Sequence, residues 1–241
     1  MDSSPSEIGK LYLIPTTLGE TEPLEVLPLT IKQAVEVIDH YVVENEKTAR
    51  RFIKKITPRK GQAQLHINLL NKYTEDQEVP KLLQPCLEGY PVGILSEAGC
   101  PGIADPGAIL VRLAHEKGIR VVPLVGPSSI ILALMSSGLN GQQFAFNGYL
   151  PIDTRERKKS IRELEKKSRE LGQTQLFMET PYRNNKLMEE LIRTLKGDTY
   201  LCVAADLTLK TEWIRTMQIS EWGGVTVDLH KRPAIFALMA R

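Results

Sequence analysis

Short apolar runs alternate with segments of helical periodicity along most of this chain, and this alternation limits the choice of fold. Residues 10–14, 40–43 and 92–95 are short, mostly apolar runs that end at a proline, a glutamate or a serine. Strands of a parallel sheet are buried on both faces, so they give short continuous apolar runs. Between these runs, residues 31–38 and 46–56 place apolar side chains at helical spacing. The pattern predicts an α/β fold in which helices join parallel strands.

The alternation restarts near residue 139, which predicts two α/β lobes, residues 1–126 and 127–241. The first lobe is completed by a helix at 108–117 and a strand at 120–124, and Thr30 is predicted to cap the helix 31–38. The elements predicted next are strands at 143–148, 175–178 and 200–204 and helices at 155–171 and 185–195. Three further strands are predicted to close the second lobe, at 213–215, 225–229 and 234–239. No helix-length insert separates the later two, so they are expected to pair antiparallel.

Composition excludes several classes of protein. Hydrophobic residues make up 42% of the 241 residues and charged residues 25%, a globular balance rather than that of a disordered chain. The longest apolar stretch, 121–139, is broken by prolines, glycines and serines, so no membrane span is expected. The first residues lack the pattern of a secretory signal, and we expect a cytoplasmic protein. Three widely spaced cysteines predict neither a disulfide framework nor a metal site.

Three loops that follow predicted strands carry the strongest signals of a ligand site. Residues 94–107, Ile-Leu-Ser-Glu-Ala-Gly-Cys-Pro-Gly-Ile-Ala-Asp-Pro-Gly, place three glycines and two prolines after a buried strand. Glycine lets a backbone approach a ligand closely, and proline reduces the entropy that a loop loses on binding. Residues 14–20 and 125–129 follow two other strands, and parallel strands bring such loops to one edge of a sheet. The sequence contains neither G-x-G-x-x-G nor a Walker phosphate loop, so no motif supports NAD or ATP binding.

Five segments, in this order and spacing, resemble those of the tetrapyrrole methylases, the class III methyltransferases that depend on S-adenosylmethionine (SAM). The segments are residues 14–20 (Ile-Pro-Thr-Thr-Leu-Gly-Glu), 96–107 (Ser-Glu-Ala-Gly-Cys-Pro-Gly-Ile-Ala-Asp-Pro-Gly), 123–129 (Pro-Leu-Val-Gly-Pro-Ser-Ser), 148–151 (Gly-Tyr-Leu-Pro) and 178–183 (Met-Glu-Thr-Pro-Tyr-Arg). Within the family they are most similar to the branch that methylates a ribose 2'-hydroxyl of small-subunit ribosomal RNA. The resemblance covers nearly the whole chain.

The resemblance implies the tetrapyrrole-methylase fold, with two α/β lobes, a SAM cleft between them and a homodimeric assembly. The family's cofactor-binding positions carry over to residues of both lobes and of their junction. They are Pro15, Ala98, Gly99, Pro101, Ile103 and Ala104 in the first lobe, Ser128 and Ser129 at the junction, and Met178, Ala205, Pro233 and Ala234 in the second lobe. Most of these residues are small or apolar, which suits the enclosure of an adenine ring with few charges.

The segments expected to contact the methyl acceptor differ from those of the RNA-modifying branch. The family's A-E-D-T-R segment stands here as Val43-Glu-Asn-Glu-Lys, its H-E-H-N segment as His66-Ile-Asn, and its R-E-L-T-K segment as Ala205-Asp-Leu-Thr-Leu. The candidates for substrate binding are Glu44, Asn45, Lys47, Arg50 and Arg183. The candidates for catalysis are Glu44 and Glu179, because a hydroxyl acceptor benefits from a base.

Three functions fit this resemblance. The first is methyl transfer from SAM to an RNA ribose, with small-subunit ribosomal RNA as the leading acceptor. The second is methylation of a small molecule such as a tetrapyrrole. The third is a SAM-binding or RNA-binding protein that has lost catalysis, since the acceptor-side segments are altered. Neither a metal nor a membrane partner is expected.

Two groups of basic residues bear on RNA binding. The net charge of +2 is too small to predict nucleic-acid binding by itself. The helix 155–171 contains eight Lys and Arg residues, but its four interleaved glutamates favour solvent-exposed pairs over RNA contact. Arg50, Arg51, Lys54 and Lys55 form a tighter group near Glu44, for which RNA contact and a solvent-exposed surface are equally favoured.

Overall fold

In the computed structural model, residues 7–75 and 77–240 are described. The contacts between Cα atoms divide the chain into two compact units, Met1–Pro127 and Ser128–Arg241. This division lies one residue from the predicted boundary. Within the described residues each unit combines a five-stranded sheet with helices, so the predicted α/β class is confirmed. None of the helices in this described part is long and apolar enough to span a membrane.

The N-terminal unit is built on a parallel sheet. Its strands are β1 (Leu11–Ile14), β2 (His40–Val43), β3 (His66–Leu69), β4 (Val92–Leu95) and β5 (Val121–Pro123). They lie in the order β3-β2-β4-β1-β5, and all the paired neighbours run parallel. Because the strands point the same way, the loops that follow them lie along one edge of the sheet.

Both faces of this sheet are covered. The helices of the unit are α1 (Pro23–Val26), α2 (Leu29–Val37), α3 (Glu46–Ile56), α4 (Gln84–Leu87) and α5 (Gly107–Glu116). Successive side chains of a strand point to opposite faces. Tyr41 and Val43 therefore pack with α2 and α3, whereas Val42 packs in the cluster that contains residues of α5. Burial on both faces explains why the strands are continuous apolar runs in the sequence.

The C-terminal unit has a mixed sheet. Its strands are β6 (Phe144–Tyr149), β7 (Thr174–Met178), β8 (Tyr200–Ala205), β9 (Trp213–Gln218) and β10 (Ala234–Met239). Their order is β6-β7-β10-β8-β9. β6 runs parallel to β7, while β10 runs antiparallel to both of its neighbours and β8 antiparallel to β9. β10, the last of the described strands in chain order, thus lies at the centre of the sheet.

Helices pack on this second sheet as well. They are α6 (Ser129–Ser137), α7 (Thr154–Leu171), α8 (Asn184–Thr194) and α9 (Ile219–Trp222). α6 packs on β8, β9 and β10, whereas α7 packs on β7 and β10 and beside α8. Phe177, Phe236 and Trp222 are buried in the main core of the unit. Arg157 of α7 and Glu190 of α8 form a buried bidentate ion pair, with N–O distances of 2.5 and 2.7 Å.

Three details predicted from the sequence are wrong. Residues 225–229 are not a strand but an irregular segment that buries Leu229 in the core, so their apolar character reflects burial alone. The antiparallel neighbours of β10 are β7 and β8, which come much earlier in the chain. Thr30 lies inside α2, whose N-cap is Pro28, because the helix begins one residue before this threonine.

Candidate functional site

Three loops lie side by side at the carboxyl edge of the N-terminal sheet. They comprise residues 15–22, 96–106 and 124–128, and they follow β1, β4 and β5, which are neighbours in the strand order. These are the loops that the sequence singles out. The structure shows that hydrogen bonds and close packing join all three.

Hydrogen bonds join the first loop to the second. The N–H of Thr16 donates to the carbonyl of Gly99 at 2.9 Å, and its hydroxyl donates to the carbonyl of Ser96 at 3.2 Å. The hydroxyl of Ser96 in turn donates to the carbonyl of Gly99 at 2.9 Å. Thr16 and Ser96 are buried, so water does not compete for these bonds and the position of Gly99 is fixed.

Gly126 brings the third loop against the first. A Cβ atom at Gly126 would lie 2.2 Å from the Cβ of Pro15, so only glycine permits this approach. The thiol of Cys100 contacts the carbonyl of Pro127 at 3.4 Å and connects the second loop to the third. The three loops are therefore one packed assembly, in which displacement of one loop displaces the others.

The second loop has a constrained backbone. Gly99 and Gly102 have φ values of +75° and +80°, and Ala104 has φ +57° although it carries a Cβ. A non-glycine residue in this region costs about 1 to 3 kcal/mol and persists only where its surroundings determine it. The carboxylate of Asp105 accepts hydrogen bonds from the N–H groups of Gly102 and Gly107 at 2.7 and 2.8 Å. The loop is thus ordered before a ligand binds, which lowers the entropy lost on binding.

Three carboxylates, those of Glu44, Glu97 and Asp105, interact beside this loop. Burial raises the pKa of Glu44, the charges of Asp105 and Glu97 add to the increase, and the N–H of Glu97 opposes it. Burial also raises the pKa of Asp105, against its two backbone hydrogen bonds. A carboxylate with a raised pKa is a better proton acceptor, so Glu44 is the strongest candidate for a base in this unit. No group of His, Cys, Asp or Glu side chains within the described ranges is arranged to hold a metal ion.

A cavity of about 210 Å³ lies between the first loop and α3. Its walls include the buried side chains of Val43 and Leu95. They also include Thr48 and Glu97, whose side chains share a hydrogen bond of 2.6 Å. Exposed Arg51 lines the cavity too. Pockets for whole drug-sized ligands are roughly 300 to 1,000 Å³, so this cavity suits one ring-sized part of a ligand.

Of the residues predicted to bind substrate in this unit, Asn45 and Arg50 make hydrogen bonds within the unit, whereas Lys47 is exposed. Asn45 is the N-cap of α3 and accepts hydrogen bonds from two N–H groups of its first turn at 3.0 and 3.3 Å. Arg50 is bound to Glu46 at 2.7 Å and donates to a backbone carbonyl at 2.8 Å. Lys47 is exposed. The structure brings Glu44, Asn45 and Lys47 to the carboxyl end of β2, whereas Arg50 lies one turn further along α3.

The cofactor candidates of the second loop differ in exposure. Gly99 and Pro101 are buried, whereas Ala98, Ile103 and Ala104 are exposed. The side chain of Ile103 is 51% exposed, although it is large and apolar. An exposed apolar side chain on a rigid loop is well suited to contact an apolar part of a ligand.

The C-terminal candidates meet at one end of the second sheet. Ala234, the first residue of β10, pairs with Ala205 at the end of β8, and the next residue of β10 pairs with Met178 at the end of β7. The residue after Ala205 donates its N–H to the carbonyl of Pro233 at 2.9 Å. Ser128 caps α6 by accepting an N–H hydrogen bond at 3.5 Å, and Ser129 begins that helix.

Glu179 and Arg183 form a second polar position of this unit. Glu179 directly follows β7 and is 4% exposed. One of its carboxylate oxygens accepts from Arg183 at 2.6 Å and from the N–H of Thr180 at 2.7 Å. Its other oxygen has no hydrogen-bond partner in the part of the chain that is described. A buried acceptor without a donor is costly, so Glu179 stays a candidate polar contact for a ligand.

Sequence reasoning missed the polar residues that hold the loops in place. Thr16, Ser96 and Asp105 organise the N-terminal loops through the bonds described above. In the C-terminal unit Asp206 takes φ +52° and binds Arg232 at 2.7 Å, in a turn that sequence reasoning treated only as an altered family segment. The signal that could have found these residues is their position, directly after strands at a ligand-binding edge.

Comparison with known proteins agrees with the resemblance. The model of the family described as Tetrapyrrole (Corrin/Porphyrin) Methylases matches residues 10–222. Similar proteins include two named Ribosomal RNA small subunit methyltransferase I. That of Vibrio cholerae serotype O1 is 31% identical over 217 residues, which cover 88% of this chain and 69% of that protein. That of Escherichia coli O157:H7 is 31% identical over 219 residues, which cover 91% of this chain and 72% of that protein.

Solved structures share the fold at low sequence identity. The methyltransferase CobJ is similar at a TM-score of 0.63 and 14% identity, covering 96% of this chain and 94% of that one. The uroporphyrin-III-C-methyltransferase from Thermus thermophilus is similar at a TM-score of 0.52 and 19% identity, covering 96% and 92%. With the family match over most of its length, the chain belongs to the tetrapyrrole methylases and is a SAM-dependent methyltransferase.

Proposed function

We propose that this chain transfers the methyl group of SAM to a ribose 2'-hydroxyl of small-subunit ribosomal RNA. The assignment of this RNA as the methyl acceptor rests on 31% identity, over about nine-tenths of the chain, to proteins named for methylation of that RNA. The altered segments around Asn45 and Lys47 do not oppose this proposal. Asn45 keeps a helix-capping role, and Glu44 remains beside the joined loops.

The N-terminal loops suit the binding of SAM. Close backbone packing at Gly99 and Gly126 leaves a compact, constrained surface, and Ile103 offers an exposed apolar contact. The carboxylates of Glu44 and Asp105 complement a positively charged ligand, because a nearby cation offsets the repulsion between them. When bound, SAM supplies an electrophilic methyl group on a sulfonium. The C-terminal residues Met178, Ala205, Pro233 and Ala234, with Ser128 and Ser129, remain predicted cofactor contacts.

Glu44 is the base in the proposed reaction. SAM would supply the methyl group and leave as S-adenosylhomocysteine, and the ribose hydroxyl that accepts the methyl group must lose its proton. The carboxylate of Glu44 takes this proton, since burial and the charge of Asp105 raise its pKa. The ordered loops position the reactants, and such positioning supplies much of the catalysis of an in-line displacement.

Labelling with tritiated SAM tests the acceptor. We expect label in the RNA of small ribosomal subunits purified from cells that lack the gene for this chain. Glu44→Gln is expected to bind SAM more weakly by calorimetry, because one of the two complementary carboxylates is lost, and to transfer methyl about 100-fold more slowly or worse at saturating SAM. Glu36→Gln, which changes an exposed carboxylate on α2, is the matched control and is expected to keep full activity.

Three outcomes would contradict parts of this proposal. Label in a tetrapyrrole but not in RNA would show that the methyl acceptor is a tetrapyrrole and not RNA. SAM binding without label in either would leave a binding protein that has lost catalysis. Full activity of Glu44→Gln would remove Glu44 as the base and leave Glu179 as the remaining candidate.

We also propose that the enzyme is a homodimer, as the resemblance implies, and that it is cytoplasmic, as the lack of a secretory-signal pattern suggests. Sedimentation velocity is expected to give twice the mass of one chain at micromolar concentration. A monomer at concentrations where the enzyme is active would overturn this assignment.

A further inference from the structure

α7 presents most of its charge to solvent. Two of its twelve charged residues turn inward. Arg157 forms the buried pair with Glu190, and Glu165 accepts from the hydroxyl of Thr199 at 2.5 Å and from the N–H of Lys196 at 2.8 Å. Because Glu165 is buried, only three of the four glutamates of the helix lie on its outer surface.

Eight of the ten outward charges of α7 form two rows, and exposed Lys167 and half-buried Arg169 are the other two. A helix turns about 100° per residue, so residues seven apart lie within roughly 20° of one line. Three exposed glutamates at this spacing form an acidic row: Glu156, Glu163 and Glu170. Five exposed cations form a second row, which we call the basic stripe: Arg155, Lys158, Lys159, Arg162 and Lys166. The stripe occupies an arc of about 100° by the same geometry and includes no acid.

The basic stripe is poorly neutralised. Its five side chains, with Glu163 at their border, line a shallow open groove. Two of its lysines reach the acidic row only at 3.9 and 3.7 Å, and exposed pairs of this kind contribute little. Over residues 7–75 and 77–240, no carboxylate lies within 4.0 Å of the side-chain nitrogens of Arg155, Lys158 or Arg162.

We propose that the basic stripe binds the phosphate backbone of the RNA substrate, an inference that rests on the proposed function. Neighbouring cations along the stripe are about one helical turn, roughly 5.4 Å, apart, and the stripe from Arg155 to Lys166 is about 16 Å long. It is therefore long enough to meet several phosphates. The acidic row repels phosphates and confines the RNA to one side of the helix.

The surroundings of the stripe favour RNA over a membrane surface. A helix that binds a membrane surface buries an exposed apolar face beside its cations. The apolar residues next to the stripe, Ile161 and Leu164, are instead buried in the core of the unit. Contacts between cations and phosphates position RNA without reading its sequence, so the stripe orients the substrate and leaves the choice of nucleotide to the site.

Salt-dependent binding tests this inference. The variant Arg155→Gln/Lys158→Gln/Arg162→Gln is compared with the wild type for binding to the same small ribosomal subunits over a range of KCl concentrations. We expect at least tenfold weaker binding near 0.1 M salt. The slope of log K against log salt should fall by about 2 to 3, because each lost phosphate contact removes about 0.7 to 0.9. SAM affinity and the thermal midpoint should not change, since the three side chains are exposed.

Two matched variants control for net charge. Lys81→Gln/Arg112→Gln/Lys117→Gln removes three exposed cations from the N-terminal unit and is expected to change binding less than twofold. Glu156→Gln/Glu163→Gln/Glu170→Gln removes the acidic row and is expected to strengthen binding. Unchanged affinity and slope for the stripe variant, or an equal loss in the N-terminal control, would overturn the inference.

Methyl transfer is measured separately, so the two proposals fail in distinguishable ways. If the wild type labels RNA but the stripe variant binds and labels normally, only the stripe is excluded. If the wild type labels no RNA, the proposed function fails, while the salt series still shows whether the stripe binds RNA.

Discussion

At the scale of single residues, the contact between Gly126 and Pro15 determines how closely the first and third loops approach. Gly126→Ala would place a Cβ 2.2 Å from the Cβ of Pro15, so the two loops must separate. We expect SAM affinity to fall at least about tenfold, as small displacements at a preorganised site have large effects. Calorimetry measures the affinity, and a thermal melt shows whether the variant is folded.

Gly141→Ala is the matched control for this prediction. A Cβ at Gly141 meets no atom within 4 Å, and this glycine does not take a positive φ. The control is expected to keep both SAM affinity and thermal midpoint. Normal SAM affinity of folded Gly126→Ala would show that the joined loops do not bind the cofactor.

Glu44 carries a stability cost that depends on pH. Its pKa is raised above the unfolded value by burial and by Asp105. A carboxyl group whose pKa is higher in the folded state stabilises the fold when it is protonated, at pH values below the unfolded pKa. This contribution is lost as pH rises through the folded pKa. Glu44→Gln should therefore raise the thermal midpoint by about 1 to 3 °C at pH 7 to 8, a small effect because the side chain is partly exposed. Melts at pH below 4 should show no difference between variant and wild type.

The opposite pH trend would contradict this account of Glu44. A variant that is less stable at neutral pH would show that the carboxylate makes a favourable contact in the folded state. Higher stability together with the expected loss of methyl transfer would identify Glu44 as a residue whose role in function costs stability.

At the scale of elements, Asn45 caps α3 directly after Glu44. Asn45→Ala removes the side chain that accepts from two N–H groups of the first turn, and it should lower the free energy of unfolding by about 1 kcal/mol. Asn45→Asp restores the acceptor and places a negative charge at the positive end of the helix dipole, so its stability should equal or exceed that of the wild type. Urea denaturation measures both. Equal stability of Asn45→Ala and the wild type would show that the cap is not needed.

Strands buried on both faces and an amphipathic helix were the easiest elements to predict. The bounds of β2, β4 and α3 agree with the apolar runs and helical spacing at residues 40–43, 92–95 and 46–56. β3 was missed because it is an edge strand whose residues, including His66, are mostly outside the core and leave no apolar run. Residues 225–229 were misassigned because an irregular segment can bury as many apolar side chains as a strand.

The candidate site was predictable where backbone constraints are visible in the sequence. Gly99 and Gly126 belong to loops whose glycines and prolines stand out in any reading of the chain. The bonds of Thr16 and Ser96 were not predictable, since hydroxyl residues are common in loops and their partners are distant in sequence. The separation of charges on α7 was likewise hidden, because it depends on which residues the helix buries.

At the scale of the whole molecule, we expect the N-terminal unit to fold alone. Its sheet is covered on both faces by hydrophobic clusters formed entirely from residues 11–124. We expect a fragment of residues 1–127 to unfold in one cooperative urea transition, followed by circular dichroism. A gradual loss of signal, together with binding of a hydrophobic dye before denaturant is added, would show that the unit depends on the rest of the chain.

The central position of β10 has a consequence for how the protein is made. Until residues 234–239 leave the ribosome, β7 and β8 lack the strand that joins them, and both present unpaired backbone edges. The hydrophobic clusters of the N-terminal unit include no residue of this region, so we expect that unit to fold while translation continues. The C-terminal unit must wait for its central strand, and during that interval its exposed edges are where chaperones would bind and where premature termination would produce an aggregation-prone product.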